Sequence, residues 1–149
     1  MKLNDAGYKL ICKFEGLKLK PYLCSAKIPT IGYGNTYYPD GKRVTFLDKE
    51  ITKEHAFDIF KEVADRFAKR VNSLVTKPLT QNQFNALVSF AYNVGTGSFQ
   101  SSTLLKKVNI NPNDLTIRAE FLRWNKANKV VVNGLTNRRA EESKLYFTK

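Results

Sequence analysis

From residue 52 to residue 75 the chain carries one unbroken apolar stripe: Ala56, Phe60, Val63, Phe67, Val71 and Leu74. Intervals of three and four residues place these side chains on one face of a long helix. Thr52 stands where an N-cap belongs, and Lys77-Pro78 follows the end. The two sides of this helix differ in character. Residues 5–15 predict a short helix with Asn4 as its cap, Gly7, Leu10, Ile11 and Phe14 on one face, and Gly16 as its stop. Residues 29–46 are rich in Thr, Tyr, Ile and Val and are broken by Gly32, Gly34 and the turn Pro39-Asp40-Gly41-Lys42. That composition predicts a small antiparallel hairpin or meander whose first strand opens at Thr30. Past residue 78 only helical patterns follow. Thr80-Gln81-Asn82-Gln83 forms a capping box, Phe84, Leu87, Val88 and Ala91 make the next stripe, and Gly95 and Gly97 end it. Further helices are predicted near 101–109, near 114–126 with Asp114 as cap, and near 137–147 with Thr136 as cap. One helix, a small sheet and then helices alone is the segregation of an α+β fold. The expected organisation is a single domain with a small β-sheet lobe over about 1–50, a bridging helix over about 52–75 and a larger helical lobe over about 78–149.

Charge limits the partners. The chain has 25 basic and 13 acidic residues, a net charge of +12. The basic residues are dispersed, with short pairs at Lys42-Arg43, Lys106-Lys107 and Arg138-Arg139. Such a balance favours a polyanion: nucleic acid, an anionic membrane surface or an acidic wall polymer. No zinc-finger spacing, RNP-like motif or recognition helix accompanies the charge, so nucleic acid is not expected as the partner. No apolar run approaches the roughly 18 residues of a membrane span, and the first residues lack the apolar core of a signal peptide. The expectation is synthesis in a cytoplasm, with export needing a second protein. Cys12 and Cys24 stand outside any CxxC arrangement, and His55 is the sole histidine. No metal site or cofactor is expected. His55, in the first turn of the long helix, reads as a solvent-facing residue.

Two charges break the rules of helix electrostatics. Glu15 falls on the last position of the first helix, where the dipole is negative and a carboxylate is disfavoured by roughly 0.3–1 kcal/mol. Arg138 falls in the first turn expected for the last helix, where the mirror argument applies. Such departures concentrate at functional sites. A negative helix end, with partial burial behind Phe14, disfavours ionised Glu15, which is the direction a general acid needs. The plainer alternative is a frayed surface carboxylate.

Glu15 does not stand alone. Cys24 follows after eight residues and Thr30 after five more, leading into Thr30-Ile31-Gly32-Tyr33-Gly34. The phrases Phe14-Glu15-Gly16-Leu17 and Pro21-Tyr22 surround them. The pattern E-x8-C-x5-T closing on TIGYG resembles the catalytic signature of the phage-type lysozymes, or endolysins, of glycoside hydrolase family 24. The resemblance continues through Phe90-Ala91-Tyr92-Asn93-Val94-Gly95 to Phe99, Ser102-Thr103-Leu104-Leu105, Trp124-Asn125-Lys126-Ala127, and Gly134-Leu135-Thr136-Asn137-Arg138-Arg139-Ala140-Glu141-Glu142. It covers about residues 5 to 147.

The resemblance implies a lysozyme-like fold and a muramidase, hydrolysing the β-1,4 bond between N-acetylmuramic acid and N-acetylglucosamine. It implies Glu15 as general acid and a transition state with oxocarbenium character. Cys24 and Thr30 would position or activate the nucleophile. The family has Asp or Cys at the second position; Asp implies a positioned water and inversion. With Cys24, a thiolate activating water and a thiolate attacking the sugar both stand open, as do a small buried hydrophobe and a disulfide with Cys12. Tyr22, Gly34, Asn35, Tyr92, Asn93, Ser102 and Arg138 are the implied substrate-binding or cleft-wall residues. Asn35 stands where the family often has His. Trp124 reads as core. The implied partners are peptidoglycan and an anionic wall or outer-membrane surface, the implied state a monomer, and the implied route to the wall a pore made by a separate, holin-type protein. A catalytically silent wall-binding protein and a lytic transglycosylase remain as rivals.

Overall fold

In the computed structural model, which describes residues 1–149, the helical patterns become seven helices: α1 (Asp5–Glu15), α2 (Lys53–Leu74), α3 (Gln81–Val94), α4 (Thr96–Ser101), α5 (Thr103–Ile110), α6 (Ile117–Leu122) and α7 (Asn133–Tyr146). Two small antiparallel pairs accompany them, β1 (Lys18–Leu23) with β2 (Pro29–Gly32), and β3 (Lys126–Ala127) with β4 (Val130–Val131). The class is α+β. No helix is long and apolar enough to cross a membrane. The chain divides into two compact units: Met1–Ile11 with Phe67–Lys149, and Cys12–Arg66. Both divisions fall inside helices, α1 and α2.

The caps form as local chemistry dictates. Asn4 Oδ1 accepts the Gly7 amide at 3.2 Å, and Thr52 Oγ1 accepts the His55 amide at 3.1 Å. The Thr80–Gln83 capping box is complete, with both reciprocal hydrogen bonds present.

In the unit Met1–Ile11 with Phe67–Lys149, α3 packs on α4 and α7, and α6 packs on α7. Phe90 stands at the centre, with the rings of Trp124, Phe121 and Phe99 at 5.6, 5.7 and 6.1 Å, all edge-on. Trp124 is half-buried rather than fully enclosed. Within the unit Cys12–Arg66, Ile31, Tyr33, Val44, Ala56, Ile59, Phe60 and Ala64 are buried, and the Tyr33 and Phe60 rings lie 5.4 Å apart.

Three sequence expectations need correction. The hairpin begins earlier than residue 29: Thr30 lies in its second strand, and β1 supplies the first. β1 hides its strand character behind two lysines and a proline, as KLKPYL with Lys18 and Lys20 exposed. Its register slips between Lys18 and Tyr22, where Pro21 contributes no ladder donor. Residues 33–50 form turns and isolated bridges, Ile31↔Asn35 and Tyr37↔Arg43. Second, the helix expected over 114–126 is confined to α6, and Asp114 instead closes a turn on the Thr116 amide and hydroxyl at 2.9 and 2.7 Å. Residues past Trp124 turn back as a hairpin, Asn128 and Lys129 taking φ of +49° and +67°, as two-residue hairpin loops require. Third, α7 begins at Asn133, four residues before the expected start. Arg138 is therefore in its second turn, and the dipole argument for that residue fails.

Candidate active site

Glu15 closes α1, and Gly16 leaves the helix at φ +68° with its amide on the Cys12 carbonyl at 3.2 Å. The left-handed exit needs no Cβ in the way, and it places the half-buried Glu15 side chain at a chain reversal. Opposite it runs the loop after β2. Asn35 and Ile31 exchange both backbone hydrogen bonds at 2.9 Å, so residues 32–34 form a pinned loop. Gly32 and Gly34 take φ of +68° and +80° inside it. At Gly34 the backbone comes so near the acid that a Cβ built there would lie 3.0 Å from Glu15 Oε2. Only glycine meets both conditions at that position.

The β1–β2 connection supplies the second group. Cys24 and Ile28 close the turn through Cys24 N–H to Ile28 O at 3.1 Å, while Lys27 N–H reaches Cys24 O at 2.8 Å. The Ile28 and Ala26 amides and the Thr30 hydroxyl then face the Cys24 sulfur, and together they lower its pKa from the ordinary 9.0. Thr30 is buried, and its hydroxyl also lies 2.8 Å from the Ile28 carbonyl. One proton serves either the carbonyl or the sulfur at a given moment.

Tyr22 pairs with Thr30 across the strands, so these two share one sheet face, and the Cys24 sulfur lies near both, facing the Thr30 hydroxyl and acting on the Tyr22 phenol. Its phenol is raised by burial first, then by the neighbouring Cys24 sulfur and Glu15 carboxylate. Glu15, Tyr22, Cys24, Thr30 and Gly34 are thus assembled within the single unit Cys12–Arg66, and Asn35, 4% exposed, supports their loop. Cys12, which the sequence reading passed over as a site residue, belongs to the same neighbourhood. Burial and then the charge of Glu15 push its thiol up to about 11. The signal was its i,i+3 spacing from Glu15. Cys12 and Cys24 are both free thiols.

Tyr92, Asn93, Ser102 and Arg138 belong to the other unit. Tyr92 is half-buried with its ring 5.1 Å from that of Phe67, and Asn93 is exposed. Ser102 is 4% exposed and serves as a helix junction: its hydroxyl donates to Phe99 O at 2.6 Å and accepts the Leu105 amide at 3.1 Å. Arg138 is buried, donating to Glu142 Oε2 at 3.4 Å and to Ser89 O at 3.2 Å. His55 is exposed. No three His, Cys, Asp or Glu side chains are grouped to hold a metal ion.

A buried polar group in this unit escaped the sequence reading altogether. Glu142 carries Arg139 at 2.7 Å and Arg138 at 3.4 Å and accepts the Ser89 hydroxyl at 2.5 Å. Burial pushes its carboxyl upward, while Arg139, Arg138 and Ser89 draw it back toward the ionised form. The i,i+3 and i,i+4 spacings of these arginines from Glu142 were visible; their burial was not.

The arrangement in Cys12–Arg66 brings together a carboxyl group, a thiol whose pKa is lowered, a hydroxyl beside it and a phenol near both. Comparison with known proteins agrees in kind. Residues 12–142 match the family model described as phage lysozyme. The chain is 44% identical over 148 residues to the endolysin of Bacillus phage PZA, covering 98% of this chain and 55% of that one. It therefore spans about half the length of that curated relative. Among solved structures, it superposes on an endolysin from Escherichia coli O157:H7 phage FAHEc1 with a TM-score of 0.92 at 40% identity, covering 99% of this chain and 94% of the other. The muramidase domain of SpmX from Asticaccaulis excentricus gives 0.82 at 34% identity, with 99% of both chains covered.

Proposed function

The chain belongs to the phage lysozyme family, and from that membership we propose that it is a muramidase. It hydrolyses the β-1,4 bond between N-acetylmuramic acid and N-acetylglucosamine in peptidoglycan and so lyses bacteria. The observation that carries the reading is the Gly34 backbone set against Glu15 Oε2, in the same unit as the Cys24–Thr30 pair.

In this mechanism protonated Glu15 donates to the glycosidic oxygen. Positive charge develops on the anomeric carbon as the bond to that oxygen breaks. Cys24 and Thr30 act on the nucleophile at the other face of the sugar, holding and deprotonating a water. The lowered thiol pKa supports a second route, in which the Cys24 thiolate bonds to the anomeric carbon and water later releases the sugar. The anomeric form of the first product, followed by NMR, separates the two: inversion for the water route, retention for the covalent one. Tyr22, Tyr92 and Asn93 are proposed to contact sugar rings and N-acetyl groups.

Glu15→Gln tests the whole reading in a turbidity assay on permeabilised cells. It keeps the shape and removes the proton. Lysis is expected to fall at least a hundredfold, within the range of general-acid contributions, and lysis equal to the parent's would overturn the assignment. Muropeptide mass spectrometry excludes a transglycosylase if the products carry the mass of added water. The net charge of +12 draws the protein to the anionic wall, so lysis is expected to weaken as salt rises. Release through a holin-type pore belongs to the same proposal. Expressed alone, the chain is expected to leave cells intact, and co-expression with a pore-former is expected to lyse them; lysis without the pore-former would overturn this part of the proposal.

A further inference from the structure

Asn93 is exposed at the end of α3, yet its side chain is not free to turn. Arg139 Nη2 donates to Asn93 Oδ1 at 2.9 Å. A guanidinium has donors only, so the amide atom facing it must be the oxygen. The amide is thereby locked in one of its two orientations, with its –NH2 directed away from Arg139. Arg139 in turn has little freedom. It is fully buried, its Nε lies 2.7 Å from Glu142 Oε1, its Nη2 donates to Glu142 Oε2 at 3.4 Å, and its guanidinium lies 4.9 Å over the Phe90 ring. Glu142 is itself held by the Ser89 hydroxyl. A chain of fixed contacts therefore runs from the core of this unit to one exposed amide, at the cost of burying charge, which a protein tolerates only when the charges are paired.

We infer that Arg139, backed by Glu142, is a positioning residue that fixes Asn93 as a hydrogen-bond donor to the N-acetyl carbonyl oxygen of the substrate. This rests on the reading of Asn93 as a sugar-contacting residue. An unrestrained Asn presents donor or acceptor by a flip of its amide. A locked one accepts only ligands that bring an acceptor. The unit gains selectivity for acetylated over deacetylated sugar, because an amine in place of the acetamide offers no carbonyl to the waiting N–H groups.

The test compares Asn93→Asp and Arg139→Gln with the parent on soluble, uncrosslinked peptidoglycan strands, fully N-acetylated or chemically de-N-acetylated. The parent is expected to favour the acetylated strand about tenfold in kcat/KM, expressed in KM. In Asn93→Asp the carboxylate stays paired with Arg139 but has no N–H to offer. In Arg139→Gln the amide at 93 regains its flip. Both variants are expected to raise KM on acetylated strands about tenfold, leave kcat within about twofold and lose the preference. A merely structural role for Arg139 would lower activity on both substrates alike and leave the preference intact. Variants that keep the preference, or that lose kcat alone, overturn the inference. If circular dichroism shows Arg139→Gln unfolded, Asn93→Asp, whose side chain is exposed, decides by itself. A parent that cleaves neither strand overturns the muramidase reading and this inference with it. An active parent whose variants retain selectivity overturns this inference alone.

Discussion

Gly34→Ala, paired with Gly41→Ala, separates backbone strain from damage to the acid. Both glycines are exposed and both have positive φ, +80° at Gly34 and +88° at Gly41. An alanine forced into that region costs about 1–2 kcal/mol at either position. For a chain of this size each kilocalorie lowers Tm by about 2–4 °C, so both variants should melt roughly 2–8 °C below the parent. Their surroundings differ. Nothing lies within 4 Å of a Cβ at Gly41, whereas a Cβ at Gly34 meets Glu15 Oε2 at 3.0 Å. The carboxylate must then retreat by a few tenths of an ångström. Since a displacement of about 1 Å costs on the order of a hundredfold in rate, a roughly three- to tenfold loss of lysis is expected for Gly34→Ala and none for Gly41→Ala. The assay is turbidity clearing of permeabilised cells, at a temperature where circular dichroism shows both variants folded. Equal activities would refute the claim that Gly34 sets the place of the acid, and equal losses would assign the effect to strain.

Iodoacetamide at pH 8 should modify Cys24 at least tenfold faster than Cys12, since a thiol near pKa 11 is only about 0.1% ionised there while the Cys24 thiol is lowered. Peptide mass mapping reads the two rates, and comparable labelling would contradict the geometry of the Cys24 turn. Glu142→Gln leaves two buried guanidiniums without their carboxylate, and breaking a buried pair of this kind costs about 3–5 kcal/mol. Tm should fall by roughly 6–20 °C, and an unchanged melt would mean the cluster is not paired as described. Asp48 accepts the Thr45 hydroxyl at 2.6 Å, the Thr45 amide at 2.9 Å and the Tyr38 hydroxyl at 2.7 Å, which hold its carboxyl below the ordinary 3.8. Its folded pKa is the lower one, so its stabilisation is present above 3.8 and is lost as pH falls through the folded value. Asp48→Asn should therefore flatten the acid limb of a plot of Tm against pH, and an unaltered limb would show that Asp48 contributes nothing there.

Local chemistry fixed what depends on neighbours a few residues apart. The apolar stripes, the Asn4, Thr52 and Thr80 caps and the stop at Gly16 all sit where their side chains and φ preferences put them. The E-x8-C-x5-T pattern named Glu15, Cys24 and Thr30 through its family resemblance, and the same resemblance added Tyr22 and Gly34. β1 was missed because two lysines and a proline within six residues depress its strand propensity; pairing with β2 makes it a strand. The start of α7 was misplaced because Val132 and Asn133 give no side-chain cap signal, and that error carried the dipole argument for Arg138 with it. Ser102 looked like a sugar contact by position, but its hydroxyl is taken up by the α4–α5 junction.

What the sequence determined by itself is the α+β class, the caps at Asn4, Thr52 and Thr80 and the stop at Gly16, because each follows from periodicity, composition and capping along the chain, while the proposed acid was named by the family resemblance of its motif. Only the tertiary structure decided which groups face one another. Three of its results have no signature in the linear order: the Gly34 backbone at Glu15, the amides and hydroxyl around Cys24, and the buried Arg139–Glu142 pair behind Asn93. They arise because residues distant in the chain are desolvated together, and in that environment charges and polar atoms must find partners.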